Sequence, residues 1–266
     1  MRTIGQLMSL SGRVAVVTGG AGKIAEAFLE ALAELGATLC IFDIAGDAGK
    51  QRSYSLTNSF SVEASAFVVD VGQETSVQQA VRTAGEQYGR LDILVNNAAY
   101  PPLKLPPDGR ELEYQSLQHW QANIEVMLTG SFLMTRACVP WLRRSGNGVV
   151  INIGSTYGLV GPDMRLYEGT EMGNESYYAA AKGGIIQLTR YWATTLAPNV
   201  RVNCIVPGGV WRQQPDAFHE RYKARTPLQR MAVEEDLKGA IAYFGTDLSA
   251  YVTGQVLAVD GGWTAW

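Results

Sequence analysis

Histidine is almost missing from this chain, and cysteine is scarce. Two histidines, His119 and His219, cannot furnish a histidine-rich metal centre. The three cysteines, Cys40, Cys138 and Cys204, lie far apart in apolar stretches. That spacing predicts small core residues rather than a disulfide frame or a metal cluster, so no metal is expected. Charge is also sparse: 18% of residues are charged and the net charge is −3. No basic field exists to draw in nucleic acid or an anionic membrane. No apolar run approaches the ~20 residues of a membrane span. Residues 1–6 carry no long apolar stretch ahead of a cleavage site, so no secretory signal is expected. A cytoplasmic location follows by default.

What is present is apolar: 47% of the 266 residues are hydrophobic, which suits a soluble globular protein with a large core. Short apolar runs fall at 14–17, 38–42, 66–69, 93–95, 149–153, 202–206 and 256–259, separated by helix-like segments. The runs are mostly continuous rather than alternating. Such strands pack on both faces, as in a parallel sheet covered by helices. The expected fold is one doubly wound α/β domain over residues 1–266, with seven parallel strands flanked by helices. In that architecture ligands lie at the carboxyl ends of the strands. Two stretches poor in core residues, 100–113 and 160–175, are candidates to border the site.

Chemistry-bearing residues sit at those strand ends. Thr18, Gly19, Gly20, Ala21, Gly22, Lys23 and Ile24 follow the first strand and open a helix. Glycines there let backbone N–H groups approach a pyrophosphate. Asp43 ends the second strand, where a carboxylate can accept both hydroxyls of an adenosine ribose and repel a 2′-phosphate. This favours NAD over NADP, although Lys23 could meet a phosphate. Asp70 and Val71 end the third strand, Asn96, Asn97, Ala98 and Ala99 the fourth, Ser155 the fifth, and Pro207, Gly208 and Gly209 the sixth. Tyr178 and Lys182 are four apart on a predicted helix and share a face. An ammonium beside a phenol favours phenolate, so Lys182 is expected to lower the pKa of Tyr178. A serine hydroxyl near such a tyrosine could hold a substrate oxygen while the tyrosine moves its proton.

In combination these residues resemble the classical short-chain dehydrogenase/reductase family. The glycine turn, Asn-Asn-Ala, Ser155, Tyr178-x-x-x-Lys182, Pro-Gly and Val259-Asp260-Gly261-Gly262 occur in the family's order across about residues 10–263. The resemblance implies a Rossmann-type domain, usually a homotetramer, and reversible hydride transfer between a secondary alcohol or ketone and a nicotinamide. It implies Tyr178 as general acid/base, Lys182 as the group that lowers its pKa and holds the nicotinamide ribose, and Ser155 as the group orienting the substrate oxygen. Val210 joins the cofactor contacts beside Pro207 and Gly208.

Five departures stand out. Lys23 and Ala25 occupy the second and third motif-glycine positions, with Gly20 and Gly22 available instead. Met127 stands where the family has a helix asparagine that helps relay protons; Asn123, one turn earlier, or a backbone carbonyl with a repositioned water, could substitute. Arg212 replaces a threonine near the nicotinamide and could bind an anionic or carbonyl group, or point to water. Ala99 replaces a glycine. Finally, Ser155 and Tyr178 are 23 positions apart, longer than the family spacing. The extra stretch, about 160–175, carries Asp163, Arg165, Tyr167, Glu168 and Glu171, so a polar roof over the substrate is expected, with subunit contacts as the other reading. Tyr157, Tyr167 and Arg212 are candidate substrate contacts. A polyhydroxylated substrate, a sugar or sugar derivative, suits such a roof better than a steroid or acyl chain. Residues 211–225 occupy the place of the family's substrate lid, and Trp263 and Trp266 are expected at a subunit interface or reaching into a neighbour's pocket. The competing reading is a non-catalytic dinucleotide-binding scaffold, with Met127 and Arg212 in its favour.

Overall fold

The computed structural model describes residues 1–100 and 112–266. In chain order the strands are β1 (Val14–Thr18), β2 (Thr38–Asp43), β3 (Ala64–Val68), β4 (Ile93–Asn96), β5 (Gly148–Ile153), β6 (Val200–Pro207) and β7 (Val256–Val259). The helices are α1 (Ile4–Met8), α2 (Lys23–Glu34), α3 (Gly46–Phe60), α4 (Glu74–Tyr88), α5 (Leu117–Ile124), α6 (Gly130–Arg144), α7 (Ser176–Thr195), α8 (Asp216–Arg225) and α9 (Lys238–Gly245). All strand pairs are parallel, in the order β3-β2-β1-β4-β5-β6-β7. This is the doubly wound Rossmann arrangement expected from the continuous apolar runs. Every residue of β1, β4, β5 and β6 is buried, as two covered faces require.

The two faces are filled by different helices. Phe28, Leu29 and Leu32 of α2, Leu56 of α3, and Ile241 and Phe244 of α9 pack on one. Val77 and Val81 of α4, Leu133 and Met134 of α6, and Trp192 of α7 pack on the other. The third strand begins two residues before its expected start, at Ala64, and its residues are only half buried. It is an edge strand, so its apolar signal is weak. All three cysteines are buried and free.

A buried polar ladder ties the catalytic helix candidate to the sheet. Asn96 and Asn152 are register partners on β4 and β5. Asn96 Nδ2 donates to Asn152 Oδ1 at 2.9 Å and to Thr135 Oγ1 of α6 at 3.0 Å. Asn152 Nδ2 donates to Thr189 Oγ1 of α7 at 2.8 Å. Leaving such a buried group unpaired costs ~1–3 kcal/mol, so the ladder favours one placement of α7 relative to the strand ends. The strand order reverses between β1 and β4, and the site lies at that switch point.

Candidate active site

A cavity of about 570 Å³ runs along the carboxyl ends of the strands. Gly19, Gly22, Lys23, Ile24, Asp43, Asn97 and Ala99 line one half, and Ser155, Tyr157, Tyr167, Tyr178, Lys182, Pro207, Gly208, Val210 and Arg212 line the rest. Residues 101–111, within the loop expected to border the site, lie outside the described residues.

The glycine turn is built for close approach. Gly19 has φ +62°, and a Cβ there would lie 2.9 Å from the Ala98 Cα. Thr18 Oγ1 accepts from the backbone N–H groups of Asn97 and Ala98, each at 3.0 Å, and Asn97 Nδ2 donates to the Thr18 carbonyl at 2.9 Å. These bonds join the ends of β1 and β4. The Asp43 carboxylate accepts from Ala21 N and Ala45 N, both at 2.9 Å. It braces the turn while lining the cavity. Thr18, Gly20, Asp70, Val71 and Ala98 support this edge without lining the cavity: a Cβ on Gly20 would meet Ile41, Asp70 accepts from Gly72 N at 3.0 Å, and Val71 is buried. Asn96, grouped with its neighbours by sequence, belongs to the core ladder instead.

At the other end, the turn after β5 meets α7. Gly158 sits so close that a Cβ would lie 2.8 Å from the Lys182 carbonyl. The close packing sets Ser155 beside Tyr178, where its hydroxyl favours the phenolate. Lys182 is buried and its Nζ donates to the Ile153 carbonyl at 2.7 Å, 5.8 Å from the Tyr178 ring centre. Burial lowers the Lys182 pKa to about 8. The Tyr178 pKa moves opposite to expectation: burial raises it, and the Ser155 hydrogen bond, not Lys182, pulls it down. With the Lys182 pKa lowered to about 8 and that of Tyr178 raised above its ordinary value of 10, the ammonium loses its proton before the phenol does.

Asn123 does not line the cavity. Its Nδ2 donates to the His119 carbonyl at 2.8 Å, on its own helix. A π-helical turn over Glu125–Thr129, for which the sequence carries no obvious signal, follows directly. It buries Met127 against Ala181, Ile185 and Ile186, while Ser131 Oγ donates to the Met127 carbonyl at 2.6 Å.

The polar roof is also rearranged. Of the insertion's charged side chains, none of Asp163, Arg165, Glu168 and Glu171 lines the cavity; Tyr167 and Asn174 do. Tyr167 Oη pairs with Tyr157 Oη at 2.8 Å. Asp163 accepts from Arg165 and, at 3.0 Å, from Arg225 of α8, and the two guanidiniums hold its carboxyl at about 2. The insertion and α8 share a small core of Leu166, Tyr167, Phe218, Tyr222, Met231 and Trp263. Trp263, expected at a subunit interface, is instead buried within its own chain. It stacks on Tyr222 at 4.3 Å with Arg225 above it at 4.7 Å. Arg212 lines the cavity but its Nη2 is paired with Glu234 at 2.9 Å.

A parallel sheet whose carboxyl edge gathers a glycine turn, a carboxylate at the end of the second strand and a Ser–Tyr–Lys set has the architecture of a dinucleotide-binding oxidoreductase. The sequence profile described as Enoyl-(Acyl carrier protein) reductase matches residues 19–264. The 3-oxoacyl-[acyl-carrier-protein] reductase FabG of Thermotoga maritima is 33% identical over 96% of this chain and 99% of its own length. Among solved structures, a gluconate 5-dehydrogenase from Burkholderia cenocepacia in complex with NADP and tartrate superposes with TM-score 0.87 at 27% identity, covering 99% of this chain and 100% of that one. An NAD⁺-bound xylitol dehydrogenase superposes with TM-score 0.85 at 27% identity, covering 95% and 99%. The chain belongs to the short-chain dehydrogenase/reductase family, and it is an oxidoreductase acting at CH–OH or keto groups.

Two predictions follow from the geometry. Lys182→Met should stabilise the protein by ~1–3 kcal/mol at pH 7, because it removes a desolvated charge, less the cost of leaving the Ile153 carbonyl unpaired. The folded pKa of Lys182 is depressed, so its penalty is full below pH 8 and fades as pH rises toward the unfolded value of 10.5. The gap between variant and wild type in denaturant titrations should narrow accordingly. For the insertion, burying each apolar side chain contributes ~1.5–3 kcal/mol, whereas a partly exposed ion pair contributes ~0.2–1 kcal/mol. Trp263→Ala should therefore speed amide exchange in α8 by at least ~100-fold and Asp163→Asn by only ~2–5-fold. Equal effects would contradict this ranking.

Proposed function

We propose that the protein is an NAD-dependent dehydrogenase that oxidises a secondary alcohol of a small polyhydroxylated molecule, a sugar or sugar derivative, and reduces the ketone in the reverse direction. The observation that carries this is the joining, in one cavity, of Ser155, Tyr178 and Lys182 with the Tyr157–Tyr167 hydroxyl pair. The cavity also fits a dinucleotide. Gly19, with the positive φ that glycine takes at no cost, lines it together with Gly22 and Lys23, and Asp43 presents a carboxylate where a ribose would lie. The residues that would hold the cofactor are Gly19, Gly22, Lys23, Ile24, Asp43, Asn97, Ala99, Tyr178, Lys182, Pro207, Gly208 and Val210. Bound there, nicotinamide supplies the hydride acceptor.

Ser155 orients the substrate oxygen. Tyr178 takes the hydroxyl proton in oxidation and returns it in reduction, and Lys182 would hold the nicotinamide ribose. Because burial raises the Tyr178 pKa, the free site holds a neutral phenol, suited to reduction; oxidation gains as pH rises. Segment 211–225 acts as the substrate lid. The same reading has the protein working in the cytoplasm as a homotetramer, without nucleic-acid or membrane partners; among the described residues no helix is long and apolar enough to cross a membrane. A second reading, reduction of a 3-oxoacyl thioester, has support from the Thermotoga relative and from Phe218 and Met231 on the cavity wall.

NADH absorbance at mildly alkaline pH, with NAD⁺ and a panel of pentitols, sugars, 2-pentanol and steroids, tests both. Turnover on a pentitol or sugar is expected, reduced by about two to four orders of magnitude in Tyr178→Phe. NAD⁺ should be preferred over NADP⁺ by at least ~100-fold, since like charges set face to face cost several kcal/mol. Activity confined to reduction of acetoacetyl-CoA would move the assignment to the second reading.

A further inference from the structure

Among the described residues, three cationic side chains line the cavity: Lys23, Lys182 and Arg212. Lys23 opens α2 beside the glycine turn, and Lys182 is bonded to the Ile153 carbonyl. Arg212 lies five positions beyond Pro207, the last residue of β6. In the sheet β6 is next to β5, which leads into Ser155, and three places from β1, which leads into the glycine turn. Neighbouring strands lie ~4.8 Å apart, so β6 ends ~5 Å from β5 and ~14 Å from β1. Arg212 therefore belongs to the Ser155 end of the cavity.

Its backbone is fixed: Arg212 N donates to Gln214 Oε1 at 2.7 Å, and Gln214 Nε2 donates to the Val210 carbonyl at 2.8 Å. Its guanidinium is held at one point only. Nη2 donates to Glu234 Oε1 at 2.9 Å, and Glu234 is not part of the cavity wall. Nε and Nη1 have no partner among the described residues, and neither is shielded from solvent; the side chain is 30% exposed. A guanidinium offers five N–H donors in a planar fork that matches a carboxylate, and only one is used here. The Arg212–Glu234 pair has no net charge, so a monoanion brings one uncompensated charge and a phosphate ester about two. We therefore propose that Arg212 determines specificity by binding the carboxylate of a hydroxy acid, selecting aldonates over alditols and over sugar phosphates. This rests on the dehydrogenase reading above and narrows its substrate class.

The test is the ratio of kcat/KM for ribonate, xylonate and arabinonate to that for the matching alditols, with NAD⁺ as the oxidant. Arg212→Met and Arg212→Gln should each lower the ratio for the best aldonate ~10–100-fold, chiefly through the KM of the acid. Glu234→Gln keeps an acceptor for Nη2 and removes a negative charge that opposes the carboxylate, so there the ratio should rise ~2–5-fold. An unchanged ratio in both Arg212 variants overturns the assignment. So does a fall in Glu234→Gln as large as in Arg212→Met, which would reduce the ion pair to a support of the chain after β6. A higher KM for NAD⁺ in Arg212→Met at an unchanged ratio would put the guanidinium on the coenzyme instead. Faster turnover of a ribitol phosphate than of ribonate overturns the choice of carboxylate. If the wild-type protein oxidises alditols and no aldonate, the assignment fails and the dehydrogenase reading stands. If neither kind of alcohol yields NADH, both fail.

Discussion

The buried ammonium of Lys182 is the constraint on which the site depends. A desolvated charge is tolerated only where a polar group meets it, and here that group is the carbonyl of the last residue of β5. The bond links the strand that leads into Ser155 to the helix that carries Tyr178. Two supports hold that link in place. The Asn96–Asn152–Thr189 ladder fastens α7 from beneath, and Gly158 admits the turn after β5 against the Lys182 backbone. Each removes freedom from the same few atoms. The unfavourable solvation of one lysine thus coexists with precise placement of three side chains, a familiar exchange between stability and activity.

Much of this was legible in the sequence because it depends on local signals. Continuous apolar runs report burial on two faces, and glycines after a strand report a backbone that must approach a ligand. Tyr178 and Lys182 declare their shared face through spacing alone. The edge strand was placed two residues late because half-exposed positions carry little hydrophobic signal. The environment of Tyr178 was misjudged for a different reason. Spacing shows that an ammonium is nearby but not that it is desolvated and already bonded elsewhere, so the sign of the net shift required the fold.

The insertion shows where composition misleads. Its charges suggested a polar ceiling, yet Asp163 pairs with Arg165 and with Arg225 from a segment 62 residues away. Long-range pairing of this kind leaves no trace in the neighbourhood of either residue. The residues that reach the cavity, Tyr167 and Asn174, are both uncharged. Met127 and Asn123 illustrate the same limit within a helix. One π-helical turn alters which side chains face the neighbouring helix, and a fixed helical period cannot anticipate it.

Asp43 holds the glycine turn through Ala21 and the entry to α3 through Ala45, and in the NAD-dependent reading proposed above the same carboxylate would turn away a 2′-phosphate. In that reading coenzyme choice is not an independent trait of this protein. A lineage drifting toward the phosphorylated coenzyme would first have to rebuild the support of its own phosphate loop, through compensating changes near residues 21 and 45. The same coupling sets a practical order for re-engineering: stiffen the loop first, then exchange the carboxylate.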